Sequence, residues 1–360
     1  MTNIGSSNML HRLRRELADD PSLAEWSPNL HAILNSISVP KEQQQQAGQC
    51  LADSCARNPI ESHVIPDSSL KRLAARNSII TPHLDNSQTG SFEIMTGKTR
   101  PVFFGYCDEH EKSLFPWEGT MEFDSPIYPQ SQLMRVADAF WREQSLRCTV
   151  LRQVIDATGP DGHLERLRLT TAAKKTIEHK RAVWSQAAAE IDRTVRDFET
   201  LRRCIRYGMK DADHPEAAAI GSVLIPSSAG HFLLLADAGH VPDFPQLDAA
   251  QPAPFVVSLL YGGQGSSLCF ASTNAATAVV DRMRWEFSND PEEAIKYALH
   301  WMRHGNFYWY INQEAWLEFD LDLRAKMKLE LERGPHVAMA LYASGGVAAH
   351  PILRWGNRWA

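Results

Sequence analysis

The residue types best suited to binding a transition metal lie in two short, separate stretches of the sequence. The first stretch carries Cys50 and Cys55, and the second, GYCDEHEKSLF, carries Cys107 and His110. Thiolates and imidazoles are the ligands that zinc prefers, and a closed tetrahedral site needs four of them. Each pair can reach one ion from a turn, because the spacing lets the chain reverse. We therefore predict a structural zinc site; the alternative is a loop-rich core holding unrelated thiols.

A further histidine, His63, lies between the acid-serine pair Glu61 and Ser62 and a Val-Ile-Pro turn, in the stretch ESHVIP. An imidazole titrates near neutral pH, so His63 could act as a general base. It could instead donate a structural hydrogen bond to a backbone carbonyl, or replace His110 as the fourth zinc ligand. The sequence leaves these three roles open.

Together these pieces resemble the HNH, or ββα-metal, nucleases in the form that carries a structural zinc. The resemblance rests on Cys50 and Cys55, on SHVIP at residues 62–66, and on Cys107 with His110, and it covers about a quarter of the chain. It implies a small zinc-stapled module of ββα-metal or treble-clef-like fold, with His63 as the general base that activates water against a phosphodiester. It also implies a second divalent ion, Mg²⁺ or Mn²⁺, at the leaving oxygen.

The chain departs from the family pattern where that second ion would bind. Ser62 stands where the family commonly has an aspartate, and Glu111 stands where an asparagine or histidine often follows the second ligand pair. Glu111 is therefore the candidate catalytic carboxylate, with His83 and Asp85 as further candidate ligands. A nuclease needs this open site beside His63, whereas a non-catalytic scaffold needs the closed zinc alone. The nuclease is the leading prediction, and the non-catalytic scaffold is the alternative.

Four segments are predicted along the chain, in an α+β protein. Residues 1–45 form an N-terminal helical or flexible tether that runs into a glutamine tract, and residues 46–130 form the zinc-binding, HNH-like module. Apolar residues at steps of three and four over 133–155 and 184–205 predict two long helices, packed as an antiparallel hairpin within residues 131–210. Residues 211–360 are predicted to form an α+β domain, with a GGQG turn in a β-hairpin. The aromatic run at 307–316 is predicted to form core or a subunit contact, with base stacking as the alternative.

Composition and charge limit the kinds of partner and the cellular compartment that can be expected for this chain. No stretch approaches the roughly 18 apolar residues of a membrane span and no secretory signal is evident, so we expect a cytoplasmic protein with reduced cysteines. Cys148, Cys204 and Cys269 are predicted to be packing residues. The net charge of −6 argues against indiscriminate nucleic-acid binding, yet residues 164–210 carry 12 Lys and Arg against 6 Asp and Glu. The basic residues of this helix fall mainly off its apolar stripe, as on an ordinary solvated face, and the same face, including Arg202 and Arg203, could contact a nucleic-acid backbone. A protein partner or a second copy of the chain is a further alternative.

Overall fold

The described chain is a mixture of helices and antiparallel strands, in agreement with the α+β class expected from the sequence. The computed structural model describes residues 13, 17, 20–26, 28–30, 32, 48–74, 79–84, 90–95, 102–120, 122–123, 127–159, 168–226, 233–240, 253–262, 265–291, 293–295, 297–298, 308–318, 321–322 and 324–325. The glutamine tract, most of the predicted tether and the C-terminal tail lie outside these residues.

Two elements dominate the helical part of the described chain, and both were predicted from apolar periodicity. They extend beyond the predicted apolar stripes at every end, by 2 to 5 residues at three ends and by 13 residues at the start of the second helix, because stripe residues mark only the buried face of a helix. The helices are α1 Asp67–Leu73, α2 Asp108–Leu114, α3 Tyr128–Ala157, α4 Thr171–Lys210, α5 Thr277–Asn289 and α6 Gln313–Glu318.

The strands form two separate sheets. The strands are β1 Glu61–His63, β2 Ile79–Leu84, β3 Gly90–Met95, β4 Val102–Phe104, β5 Ala219–Pro226, β6 Leu233–His240, β7 Pro254–Tyr261, β8 Gly265–Ser272 and β9 Tyr308–Asn312. β1 pairs with β4, and the other seven form one sheet in the order β3-β2-β9-β6-β7-β8-β5, antiparallel at every pairing. Strands from the predicted 46–130 module and from the predicted 211–360 domain therefore share one sheet.

Residue contacts divide the chain into two units, and the first consists of Met1–Gln49 with Phe140–Glu199. Within this unit α3 and α4 run antiparallel, because positions that rise along α3 meet positions that fall along α4. Trp184 and Phe198 are buried, as the predicted hairpin requires. The contacts are the Phe140 and Phe198 rings with centroids 4.5 Å apart, Cys148 Sγ 3.8 Å from the carbonyl oxygen of Ala188, and Arg181 Nε 3.3 Å from the carbonyl oxygen of Ile155.

The N-terminal segment of this unit packs against the helical hairpin. Leu23, Trp26 and Leu30 join the same apolar cluster as Ile177 and Trp184. Short polar contacts fix the segment as well, since the Asp20 carboxylate lies 3.2 Å from the ammonium group of Lys180. The described residues of this segment are therefore held on the helical hairpin by apolar and by polar contacts.

The second unit, Cys50–Ala139 with Thr200–Ala360, is organised around the seven-stranded sheet. Val280, Met283 and Phe287 recur at steps of three and four along α5 and join the apolar core on one face of this sheet. The aromatic residues Trp309 and Trp316 are buried in the same core, which confirms the core role predicted for the aromatic run.

The predicted GGQG turn does connect a hairpin. The Gly262 amide donates to the Gly265 carbonyl at 2.9 Å where β7 passes into β8. A Cβ atom at Gly265 would lie 2.4 Å from the carbonyl oxygen of Ile225 on neighbouring β5. This position therefore needs glycine because the two backbones approach too closely for a side chain.

Among the described residues, no helix joins the length and the apolar composition that crossing a bilayer demands.

We expect Phe198→Asp to lower the free energy of unfolding by about 3 to 5 kcal/mol, because it removes a buried ring and places an unpaired charge between α3 and α4. The measurement is chemical denaturation of the full chain followed by helical circular dichroism. Ala189→Asp is the matched control, since it puts the same side chain on an exposed position of the same helix. It should cost about 1 kcal/mol or less. Equal unfolding midpoints for Phe198→Asp and the unsubstituted protein would show that the seam between the helices is misplaced.

Candidate metal centre

The four predicted zinc ligands converge on one point, and we call them the metal-ligand cluster. The ligand atoms of Cys50, Cys55, Cys107 and His110 all lie within 4.8 Å of one another. His110 Nδ1 is 3.4 Å from Cys50 Sγ and 3.2 Å from Cys107 Sγ, and the Sγ atoms of Cys55 and Cys107 are 3.9 Å apart. A tetrahedral zinc site requires S···N separations of about 3.6 Å and S···S separations of about 3.8 Å. The cluster therefore has the ligand types and spacing to hold a metal ion such as zinc.

The first ligand pair belongs to a tight loop that precedes β1. The Cys50 amide donates to the carbonyl of Arg57 at 2.9 Å, and the Cys55 amide donates to the carbonyl of Ala52 at 3.2 Å. Ser54 adopts the left-handed conformation, with a φ of 61°, at the turn. These bonds fold the loop back so that both thiols face the same side.

The second ligand pair lies where β4 passes into α2. Cys107 is the residue that caps the start of α2, and His110 follows within the first turn of the helix. The Glu111 amide donates to the Cys107 carbonyl at 2.8 Å, which closes that turn. Residues three apart lie on one face of a helix, so the Cys107 and His110 side chains point the same way.

Backbone hydrogen bonds join the two ligand segments directly. The Leu51 amide donates to the Gly105 carbonyl at 2.8 Å, and the Ile60 amide donates to the Tyr106 carbonyl at 2.7 Å. The Cys107 amide also donates to Cys50 Sγ at 3.2 Å. An amide that points at a sulfur stabilises the thiolate form, which is the form that binds metal.

The two buried thiols of the cluster differ in acidity. Burial opposes ionisation of Cys107, but hydrogen bonds from the His110 amide and ring and from the other two thiols outweigh it and lower the pKa to about 7. Burial raises the pKa of the Cys50 thiol to about 11. Of these two thiols, Cys107 therefore gives up its proton more readily.

His63 is the last residue of β1, opposite Val102 of β4, and it is half-buried. The structure brings His110 into the cluster and leaves His63 outside it. The neighbouring Ser62 is fully buried, and its hydroxyl oxygen accepts a hydrogen bond from the Tyr106 amide at 3.2 Å. The position that the HNH resemblance gives to a metal-binding aspartate is thus occupied by an interior hydroxyl.

Glu111 is held in an ion-pair group that we call the Arg135 network. The Arg135 guanidinium is fully buried, lies 3.2 Å from the Glu111 carboxylate and also pairs with Glu118. It stacks on the Phe115 ring at 3.4 Å from the ring centroid. Burial raises the pKa of Glu111, and the charge of Arg135 opposes that shift. The carboxylate predicted to be catalytic is therefore already partnered by a buried cation. The side chain of His83 and the whole of Asp85 lie outside the described residues.

A row of buried polar residues on the N-terminal part of α3 was not anticipated from the sequence. Gln132, Arg135 and Asp138 follow one another at steps of three and are fully buried. The Gln132 amide donates to the Ser258 hydroxyl at 2.9 Å and to the Val64 carbonyl at 3.3 Å. The sequence contained one signal that these residues are buried. Polar residues at steps of three beside an apolar stripe leave the helix without a face that is clearly directed at solvent.

Six of the 11 described Lys and Arg residues between positions 168 and 210 make bonds within their own unit. Arg202 is buried and pairs with Asp138, so the phosphate contact predicted for it is corrected: a guanidinium in this position cannot reach a nucleic-acid backbone. Arg166 lies outside the described residues. The other engaged residues are Arg206 and Lys210 with Asp53, Arg196 with Asp192, Lys180 with Asp20, and Arg181 with the Ile155 carbonyl.

All six cysteines are free thiols. Cys148, Cys204 and Cys269 are buried apart from the metal-ligand cluster, which confirms the packing role predicted for them.

We expect the purified protein to carry about one zinc per chain, because the cluster supplies four ligands to one point. Cys50→Ala and Cys107→Ala should each abolish most of this zinc in elemental analysis. Cys148→Ala is the matched control, since it removes a buried thiol outside the cluster, and His63→Ala should also retain zinc. Equal zinc contents in Cys50→Ala, Cys107→Ala and the unsubstituted protein would exclude the site.

Zinc affinity should rise with pH, since the ion must displace protons from thiols. Cys50 holds its proton over the whole neutral range, whereas Cys107 takes one up only as the pH falls through about 7. The slope of log affinity against pH should therefore be steeper below that value than above it. Competition with a chromophoric chelator between about pH 6 and 8 measures this slope, and an affinity independent of pH would contradict thiolate ligation.

Comparisons of the chain with protein-family models, with curated proteins and with solved structures found no match. The HNH resemblance therefore rests on the residues of the motif and on the geometry that surrounds them.

Proposed function

We propose that the metal-ligand cluster binds a structural zinc ion and that the protein is a zinc-stapled scaffold, in which this module holds surfaces for a partner. The ligand set supports zinc because three thiols and one imidazole form the closed four-ligand site typical of structural zinc. When bound, zinc would cross-link the loop before β1 to the start of α2 and so contribute folding free energy directly.

The order of elements supports a ββα-metal or treble-clef-like assignment for this module. One ligand pair precedes β1, β1 pairs with β4, and the second ligand pair opens α2 directly after β4. This is the succession that the HNH resemblance implies. Here α1, β2 and β3 are inserted between the paired strands.

The observation that favours the scaffold over the nuclease is the state of the two positions expected to hold a catalytic ion. Ser62 is fully buried against the Tyr106 amide, and Glu111 is paired with the buried cation of Arg135. A dication beside Glu111 would lie close to a guanidinium, where like charges repel in a medium of low polarity. The scaffold needs neither residue as a metal ligand.

A specific observation keeps the HNH-like nuclease as the second candidate. His63 ends β1 within the ββα succession, at the position that the resemblance gives to the general base. In such an enzyme the His63 ring would accept a proton from the attacking water, and an added Mg²⁺ or Mn²⁺ would stabilise the leaving oxygen. A closed zinc cannot serve in that role, because it has no open position for water or phosphate.

Cleavage assays on single-stranded and double-stranded DNA and RNA, with Mg²⁺ or Mn²⁺ added to the zinc-loaded protein, distinguish the two functions. The scaffold predicts no cleavage above background. The nuclease predicts cleavage that falls by about two to four orders of magnitude in His63→Ala, with the fold and the zinc retained. His179→Ala is the matched control, because it removes an exposed histidine of α4 that lies far along the chain from the module.

A further inference from the structure

One buried carboxylate, that of Asp138, reaches both halves of the metal-ligand cluster through intervening side chains. Asp138 is fully buried on α3, within the second unit. It accepts hydrogen bonds from the Tyr106 hydroxyl at 2.5 Å, from Arg202, and from Arg206, whose Nη2 is 3.2 Å from both carboxylate oxygens. Two of these three partners continue to the ligand segments.

Tyr106 is the link to the second ligand pair, since it directly precedes Cys107. The Tyr106 side chain is fully buried, and its ring packs edge-on against Phe103 and Phe115. Its amide and carbonyl are also occupied, by Ser62 and by Ile60. Fixing the hydroxyl on Asp138 therefore fixes the point at which Cys107 enters α2.

Arg206 is the link to the first ligand pair. The same Nη2 that contacts Asp138 donates to the carbonyl of Leu51 at 2.9 Å, and Leu51 directly follows Cys50. The loop is held to α4 at a second point, because Asp53 pairs with Arg206 and with Lys210. One guanidinium thus connects the buried carboxylate to the backbone of the loop between Cys50 and Cys55.

From these contacts we propose that Asp138 is a positioning residue for the metal-ligand cluster, setting the distance between the two ligand pairs through Arg206 and Tyr106. The inference rests on the proposed zinc site. This role explains why the four ligand atoms lie at the distances that metal coordination requires, because both ligand pairs are connected to the Asp138 carboxylate. Partners of this kind, one step removed from the ligands, typically alter metal affinity by about 10- to 100-fold when they are replaced.

The test measures the zinc dissociation constant, by competition with a chromophoric chelator, in the full chain and in variants. Asp138→Asn should weaken binding by about 10- to 100-fold. Tyr106→Phe removes the link to the second ligand pair alone and should weaken binding less than Asp138→Asn does. Arg206→Met removes the link to the first ligand pair together with the contact to Asp53, and it should also weaken binding. Asp138→Asn leaves two arginines without their carboxylate, and this loss alone can prevent folding. Tyr106→Phe and Arg206→Met then decide the question.

The matched control is Glu143→Gln, which neutralises another buried carboxylate of α3. Glu143 pairs with Arg147 of the same helix, and that pair belongs to the first unit. It should leave zinc affinity unchanged. The Co²⁺-substituted protein gives a second readout, because the d–d bands report tetrahedral geometry. These bands should shift in Tyr106→Phe and Arg206→Met and stay constant in Glu143→Gln.

A merely structural Asp138 would lower the melting temperature of the zinc-loaded and zinc-free forms alike and would leave the affinity and the Co²⁺ bands unchanged. That result, in whichever of the three variants fold, overturns the positioning role while the zinc site stands. A wild-type chain that binds no zinc overturns the zinc site itself and the inference with it.

Discussion

The two ligand segments lie far apart in sequence, and the elements beside them are short: β1 and β4 have three residues each and α2 has seven. The hydrogen bonds of such short elements cannot by themselves hold the two segments together. The metal-ligand cluster meets this constraint at one point. Once Cys50 and Cys55 are fixed relative to Cys107 and His110, the pairing of β1 with β4 and the direction of α2 follow. The polar interior around the cluster can then be satisfied by short, directed contacts in place of a large apolar core.

The N-terminal part of α3 supplies most of those contacts. Gln132, Arg135 and Asp138 follow one another at intervals of three residues, and each contacts different elements. Gln132 contacts β7 and the turn after β1, and Arg135 contacts α2. Asp138 contacts α4 and the segment that follows β4. Removing one partner of a buried ion pair costs far more than a surface pair contributes, because the other charge is left in a medium of low polarity. This row of three residues therefore specifies one arrangement of its neighbours.

The metal-ligand cluster and the two long helices could be predicted because each depends on local spacing. Cys107 and His110 share one helical turn, and the apolar stripes of α3 and α4 repeat every three or four residues. The Arg135 network and the contacts of Asp138 could not be predicted in the same way, since their partners are remote in sequence. Polar residues on a helix are ordinarily assigned to solvent, and only the partners reveal that these are interior. The expected phosphate contact at Arg202 was wrong for the same reason.

The placement of β2 and β3 between β1 and β4 along the chain has a consequence for the order of folding. β2 pairs with β9, with Ile79 opposite Asn312, so this strand pairing joins residues that are separated by most of the sequence. Pairings of such high contact order form slowly, because the entropy of closing the loop is lost before the contact is made. All four metal ligands, by contrast, emerge from the ribosome before any of β5 to β9. If the metal-ligand cluster forms early, the β2–β3 hairpin keeps unpaired backbone groups along β2 until β9 is synthesised. During that interval the unpaired strand edge can associate with other chains.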